Sequence, residues 1–188
     1  MAGSVDRMRR GFRGFRRARQ GAAAVEFALV ATPFLALMFG IGELGLLFMA
    51  ATNIESATID ASRAIRTGAF QQSAAPTAAK FKSAVCADMA WVSAADCSAN
   101  VQVDVRTFAD FADVSTTPPV TDGALDPSKT VFNPGTACSI VLVRVFYPYA
   151  LMAPLLEPGL PNLGPGKRLI TSTVAFRNED FSGLSPCT

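Results

Sequence analysis

Gly21-Ala22-Ala23-Ala24-Val25-Glu26-Phe27, continuing through Ala28-Leu29-Val30-Ala31-Thr32-Pro33-Phe34 towards Ala51, is the stretch that decides the fold. Seven arginines precede it, and the apolar run from Phe27 to Ala51 exceeds the roughly 20 residues that a helix needs to cross a bilayer. An ordinary secretory signal carries its small-residue cleavage site after the apolar core. Here the small residues come first, so a cut at Gly21 would leave the hydrophobic helix on the mature chain with Glu26 at its mouth.

The run has three interruptions: Glu26 at its start, Pro33 inside it and Glu43 near its far end. Pro33 removes one intrahelical hydrogen bond and is expected to kink or loosen the helix. The helix need not stop at the membrane. Ile54, Ala57, Thr58, Ala61, Ala64 and Ile65 recur at helical spacing and give an amphipathic face. Asp60 and Arg63 are placed as an i,i+3 pair, and Gly68 is a plausible C-cap. A single helix over Ala22–Thr67 would be about 69 Å long.

Charge is divided unevenly. Residues 1–21 hold seven Arg and one Asp, a net +6, whereas the remainder holds 10 Lys and Arg against 14 Asp and Glu, a net −4. Lys and Arg beside a span stay on the cytoplasmic side. The basic end is therefore a topology signal, and with only Phe12 and Phe15 among its arginines it is no nucleic-acid arm. The chain contains no histidine, which removes the commonest general base and metal ligand. No nucleophile–base motif replaces it. Asp104, Asp110, Asp113, Asp122 and Asp126 lack calcium-loop spacing and read as solvated loop acids. No catalytic residue, cofactor or metal is expected.

Cys86, Cys97, Cys138 and Cys187 all follow the span, on the side placed outside. Four cysteines in an oxidising compartment read as two disulfides with three possible pairings. Cys86–Cys97 and Cys138–Cys187 are favoured: one closes a short loop, and the other ties the chain end to a buried strand. In the exterior part, residues 71–77 read as a linker and about 76–92 as a second helix, with Ala79, Val85, Met89 and Val92 on its apolar face. Val101, Val103 and Val105 alternate with Gln102, Asp104 and Arg106 as a half-buried strand. Residues 139–147 are nearly all apolar, as in a central strand buried on both faces, and 168–177 alternate again. Residues 107–137 read as a long polar loop, and Trp91 as core. The proline- and leucine-rich stretch 150–161 is either packed on the sheet or an interface patch. The expected class is α+β: a long N-terminal transmembrane and amphipathic helix packed on a small antiparallel sheet. The organisation is a leader over 1–21, a stalk helix over 22–68 and an exterior domain over 69–188.

A basic leader, glycine at the cut, glutamate at mature position five and then a hydrophobic stalk resembles the class III, or type IV prepilin, signal. Gly21 to Val30, Pro33, Gly42-Glu43-Leu44-Gly45, Ala61 to Gly68 and the C-terminal Val174-Ala175-Phe176-Arg177-Asn178-Glu179 look like the TadE family. These are pseudopilins of tight-adherence (type IVb, Flp-type) pilus systems. The resemblance covers residues 17–68 and the short end. It implies a pilin-like fold and a structural role as a minor pilin or pseudopilin that assembles or primes the pilus. It implies a prepilin peptidase that cuts between Gly21 and Ala22, and assembly through Glu26, Phe27 and Glu43. Glu26 would pair with the new ammonium of Ala22, in the same subunit or a neighbour, the bland alternative being a carboxylate snorkelling to water. Glu43 would meet outer headgroups or partner stalks. The implied partners are the peptidase, other pilin-like subunits, the inner-membrane platform and lipid. The implied location is a single pass of a bacterial inner membrane, N-terminus cytoplasmic and C-terminal domain periplasmic, or the extracellular pilus. The competing expectation is an unprocessed, signal-anchored periplasmic binding or adhesion domain.

Overall fold

The computed structural model describes residues 20–115, 117–152, 162–164, 166–183 and 187. Most of the basic leader and residues 153–161 of the proline- and leucine-rich stretch lie outside them. The chain forms two compact units, Met1–Gly42 and Glu43–Thr188, and the first helix, α1 (Gln20–Arg66), runs through both. In the first unit α1 stands almost wholly uncovered. It stays helical through Pro33, so the proline does not break it. The Thr32 hydroxyl, next to the proline, donates to the Ala28 carbonyl at 2.7 Å.

In the second unit α1 buries one stripe: Glu43, Leu47, Ala50, Ile54, Ala57, Thr58, Ala61, Ser62 and Ile65. Steps of three and four residues keep this set on one face. Its cover is a three-stranded antiparallel sheet of β1 (Gln102–Phe108), β4 (Ile140–Ala150) and β5 (Lys167–Arg177), in the order β1-β4-β5. The register sets Val105 opposite Val143 and Val143 opposite Val174. Val105 and Val143, with Val141, Val145, Tyr147 and Ile170, share one core with the helix stripe. The expected class and the three expected strands are present.

Three local expectations need correction. The second helix, α2, runs only over Ala78–Asp88, with the Thr77 hydroxyl accepting from the Lys80 N–H as its N-cap. A short third helix, α3 (Ala94–Asn100), follows and is capped by Ser93. The apolar periodicity of 79–92 continues through the turn because Met89 and Trp91 serve the core from there. Asp60 and Arg63 form no ion pair; Arg66 meets Glu179 instead, at 3.5 Å. Residues 107–137 are not a bare loop. They contain a two-stranded hairpin, β2 (Val120–Thr121) and β3 (Ala124–Leu125), and Phe132 bridges to Val105. This segment lies over the second face of the sheet, where Phe146, Leu163 and Leu169 are buried with Val120 and Leu125 packed on them. The reading of β4 as a strand covered on both faces therefore holds, but its second cover is polar in sequence.

Gly68 ends α1 with φ +79°, and a Cβ there would lie 2.3 Å from the Phe181 ring. Only glycine suits both the left-handed backbone and the close ring. The C-terminal Arg-Asn-Glu then returns to the same helix end. The Glu179 N–H donates to the last helical carbonyl, Arg66, at 2.8 Å. Asn178 is buried, and its amide donates to the Pro134 and Thr136 carbonyls at 3.0 and 2.9 Å. Disulfides join Cys86 to Cys97 and Cys138 to Cys187, the two favoured pairs, and the second fastens the chain end beside the start of β4.

These contacts rank two adjacent residues. Asn178→Ala removes two buried amide hydrogen bonds, to carbonyls that keep the Gln71 amide and the Ser139 N–H as donors, and should cost about 2 kcal/mol. Glu179→Ala removes only an exposed ion pair and leaves the capping backbone N–H in place, so it should cost less than about 1 kcal/mol. Urea unfolding of the full-length protein, followed by Trp91 fluorescence, measures both.

Candidate assembly helix and its surroundings

Gly21, Ala22, Glu26 and Phe27 all lie in the opening turns of α1. Nothing stands within 4 Å of where a Gly21 Cβ would be, so any requirement for glycine here is external to the fold. Ala22 and Glu26 are four residues apart and therefore share one face of the helix, one turn apart. A cut at the Gly21–Ala22 bond would place the new ammonium of Ala22 one turn from the Glu26 carboxylate. That carboxylate would then lie near the positive end of the shortened helix. Phe27 is 75% exposed, and Leu29, Val30, Phe34, Leu37, Phe39 and Ile41 are likewise open. The chemistry available is packing into lipid or other helices, plus one carboxylate for a cation.

Glu43 differs from both expectations for it. It is 4% exposed, and both carboxylate oxygens accept the Met152 N–H at 3.2 Å. Its position was legible: stepping back from Ile54 by helical spacing gives Ala50, Leu47 and Glu43. Tyr149 stands nearby; burial first, then the Glu43 charge, raise its phenol above the ordinary value. The Tyr147 hydroxyl donates to Asp96 at 2.8 Å, and its ring stacks edge-on against Trp91. Burial and then the Asp96 hydrogen bond raise the Tyr147 phenol as well.

A second polar centre lies on the far face of the sheet. Asp104, read above as a solvated loop acid, is fully buried. Its carboxylate accepts from Arg144 Nε and Nη2 at 3.0 and 2.7 Å, Arg106 Nε at 3.0 Å and the Val131 N–H at 2.7 Å. Arg144 also donates to the Ser115 and Thr117 carbonyls, and Arg106 to that of Lys129. The reason for the correction is the register, which sets Asp104 opposite Arg144 in β4. The sequence signal was Arg144 itself, a lone cation in an apolar strand that needs a buried partner. An open cleft of about 700 Å³ adjoins the cluster, lined by Arg106, Lys129, Arg144, Phe108, Pro118 and Val131 among others. Its arginines are engaged with Asp104 and the loop carbonyls, so its cations are structural ties rather than an open anion site. Among the described residues no group of three His, Cys, Asp or Glu could hold a metal ion.

Residues 21–63 match the family model described as TadE-like protein. The N-terminal helix is thus TadE-like, in keeping with a protein of the tight-adherence pilus system. The matched segment holds one helix long and apolar enough to cross a membrane. No curated protein and no solved structure matches the chain.

The buried cluster sets a stability test. Asp104→Ala leaves two guanidinium groups uncompensated and should cost roughly 3–5 kcal/mol, against nothing measurable for a solvated acid. Urea unfolding reads the difference. The two tyrosines of the chain, Tyr147 and Tyr149, give a second test. Ultraviolet titration should show the folded phenols ionising above the ordinary value of about 10. Because folding favours their neutral form, this contribution is complete below about pH 10 and is lost as pH rises through the raised values.

Proposed function

We propose that this chain is a processed, membrane-anchored pilin-like subunit that assembles or primes a tight-adherence pilus. A prepilin peptidase cuts between Gly21 and Ala22. The chain is then substrate and building block, and the catalytic chemistry belongs to its partner. The N-terminus starts in the cytoplasm, and the exterior unit lies in the periplasm. After cleavage, Glu26 holds the ammonium of Ala22, in its own helix or in a neighbour, and so fixes how far each stalk slides past the next. The open faces of α1 before Gly42 join other pilin-like stalks and the inner-membrane platform.

One observation carries this reading: a TadE-like helix whose apolar side chains before Gly42 stay exposed and whose Glu26 shares a face with Ala22. A soluble core helix would have buried those side chains.

N-terminal sequencing and intact mass of the protein purified from a strain with its prepilin peptidase should give a chain that begins Ala-Ala-Ala-Val-Glu. Retention of the seven-arginine leader would favour the unprocessed, signal-anchored alternative. Glu26→Ala should abolish piliation, scored by electron microscopy, while membrane fractionation shows normal insertion, since insertion depends on apolar length. Normal pili with Glu26→Ala would leave the carboxylate as a snorkelling charge.

A further inference from the structure

The two edges of the three-stranded sheet differ. The outer edge of β1 is closed: the Val105 N–H donates to the Val131 carbonyl at 2.7 Å, and the Asn133 N–H donates to the Val105 carbonyl at 2.8 Å. The outer edge of β5 is closed only at its ends. The Asn178 N–H donates to the Ser139 carbonyl and the Leu151 N–H to the Gly166 carbonyl, so the even-numbered residues of β5 bond to β4. The odd-numbered residues then point their N–H and C=O groups outward. At the start of the strand the Lys167 carbonyl accepts from Asn162 and Leu163, both at 3.3 Å, and the Leu169 N–H donates to Asn162 Oδ1 at 2.7 Å. Just past its end the Glu179 N–H is taken by the Arg66 carbonyl. Between these closures stand Thr171, Thr173 and Ala175. All three are exposed, and among the described residues no strand or loop pairs with their outward groups.

Edge strands are commonly blunted by lysine, proline or a bulge. Residues 169–176 hold neither charge nor proline and are rich in β-branched side chains. Their register with β4 is unbroken, so no bulge turns the edge away. The open window, residues 171–175, is about 17 Å long.

A second copy of the chain does not fit this window. Glu43 meets Met152 beside the start of β5, and Arg66 meets Glu179 beyond its end, so β5 runs in the same direction as the outer half of α1. Antiparallel pairing of two β5 strands would point two α1 helices in opposite directions, which copies inserted the same way in one membrane do not do. This step rests on the membrane-span reading above. Parallel pairing would set Asn162 and Leu163 of the two copies, which cover the edge at Lys167 and Leu169, against one another. The β1 edge of a copy is already closed.

We propose that residues 171–175 of β5 take up an extended, uncharged segment of a different protein chain as a fourth strand of the sheet. The segment gains main-chain hydrogen bonds to Thr171, Thr173 and Ala175. It is about five residues long. It carries small or β-branched side chains beside the two threonines, and an acid at the end nearer the exposed Lys167.

The test is residue-resolved amide hydrogen exchange of the full-length protein in lipid nanodiscs. The probe is a capped peptide, Glu-Thr-Val-Thr-Val-Thr-Glu, whose two glutamates let either strand polarity bring one towards Lys167. Without peptide, the amides of Thr171, Thr173 and Ala175 should exchange at least tenfold faster than those of Ile170, Ser172 and Val174. With it, the first three should slow at least tenfold. Thr173→Pro removes one outward N–H and no bond to β4, so the strand should keep its inner protection while the peptide no longer slows Thr171 or Ala175. The same peptide N-methylated through its five central residues should have no effect on the unaltered protein, and this control stands even if the proline unfolds the strand. No slowing by the first peptide, or equal slowing by the methylated one, overturns the proposal. Slowing that appears without peptide and grows with protein concentration assigns the edge to a second copy, and also overturns it. None of these results bears on the cut at Gly21, which N-terminal sequencing tests separately.

Discussion

Everything in the second unit depends on one stripe of α1. From Glu43 to Ile65 the same face is buried at every turn, with Ile54 and Ile65 fully covered and small residues, Ala50 before them and Ala57, Ala61 and Ser62 between them. Small side chains let the sheet come close, and the two isoleucines fill the gaps between valines. This face carries the apolar contact between helix and sheet, so the strands must present valines in register along the whole length of the stripe. Antiparallel pairing of two eleven-residue strands, β4 and β5, meets that demand. Before Gly42 the side chains of α1 are mostly exposed and apolar on every side, unlike those of a helix in a soluble core.

The sheet has a second face, and Asp104 explains how a polar segment covers it. One buried carboxylate gathers two arginines and a backbone N–H, and those arginines hold the carbonyls of Ser115, Thr117 and Lys129. The segment over the far face is thus fixed by charge-assisted hydrogen bonds at two places, with a small apolar patch around Phe146 between sheet and hairpin. Such a cluster is worth little relative to an apolar core of equal volume, but losing any one member is expensive. Its role is to specify which loop residues sit where.

The sequence was legible where burial follows one period and opaque where it depends on pairing. The three strands, the long helix and the disulfide pairs followed from alternation, continuous apolarity and spacing. Asp104 was misread because alternation on β1 assigns it to the outward face, and nothing local reveals that a second layer covers that face. Glu43 was misread because its neighbours Gly42 and Leu44 suggest a membrane exit, although the stripe counted back from Ile54 already placed it inwards. The apolar spacing of Val85, Met89 and Val92 suggests one longer helix, whereas caps at Thr77 and Ser93 divide the segment into a helix, a turn and a second helix.

Two stretches that carry the family resemblance, 61–68 and 174–179, meet in space, and this gives the resemblance a physical content. Glycine at 68 lets the chain turn under Phe181, the backbone of Glu179 caps Arg66, and Asn178 ties that joint to the loop before β4. The end of α1 is therefore locked to β5 through backbone donors and a buried amide, not through exposed charge. Backbone hydrogen bonds in a covered site hold this joint in a way that salt-screened surface pairs do not. The disulfide between Cys138 and Cys187 closes the same corner covalently and ties the chain end to the residues just before β4.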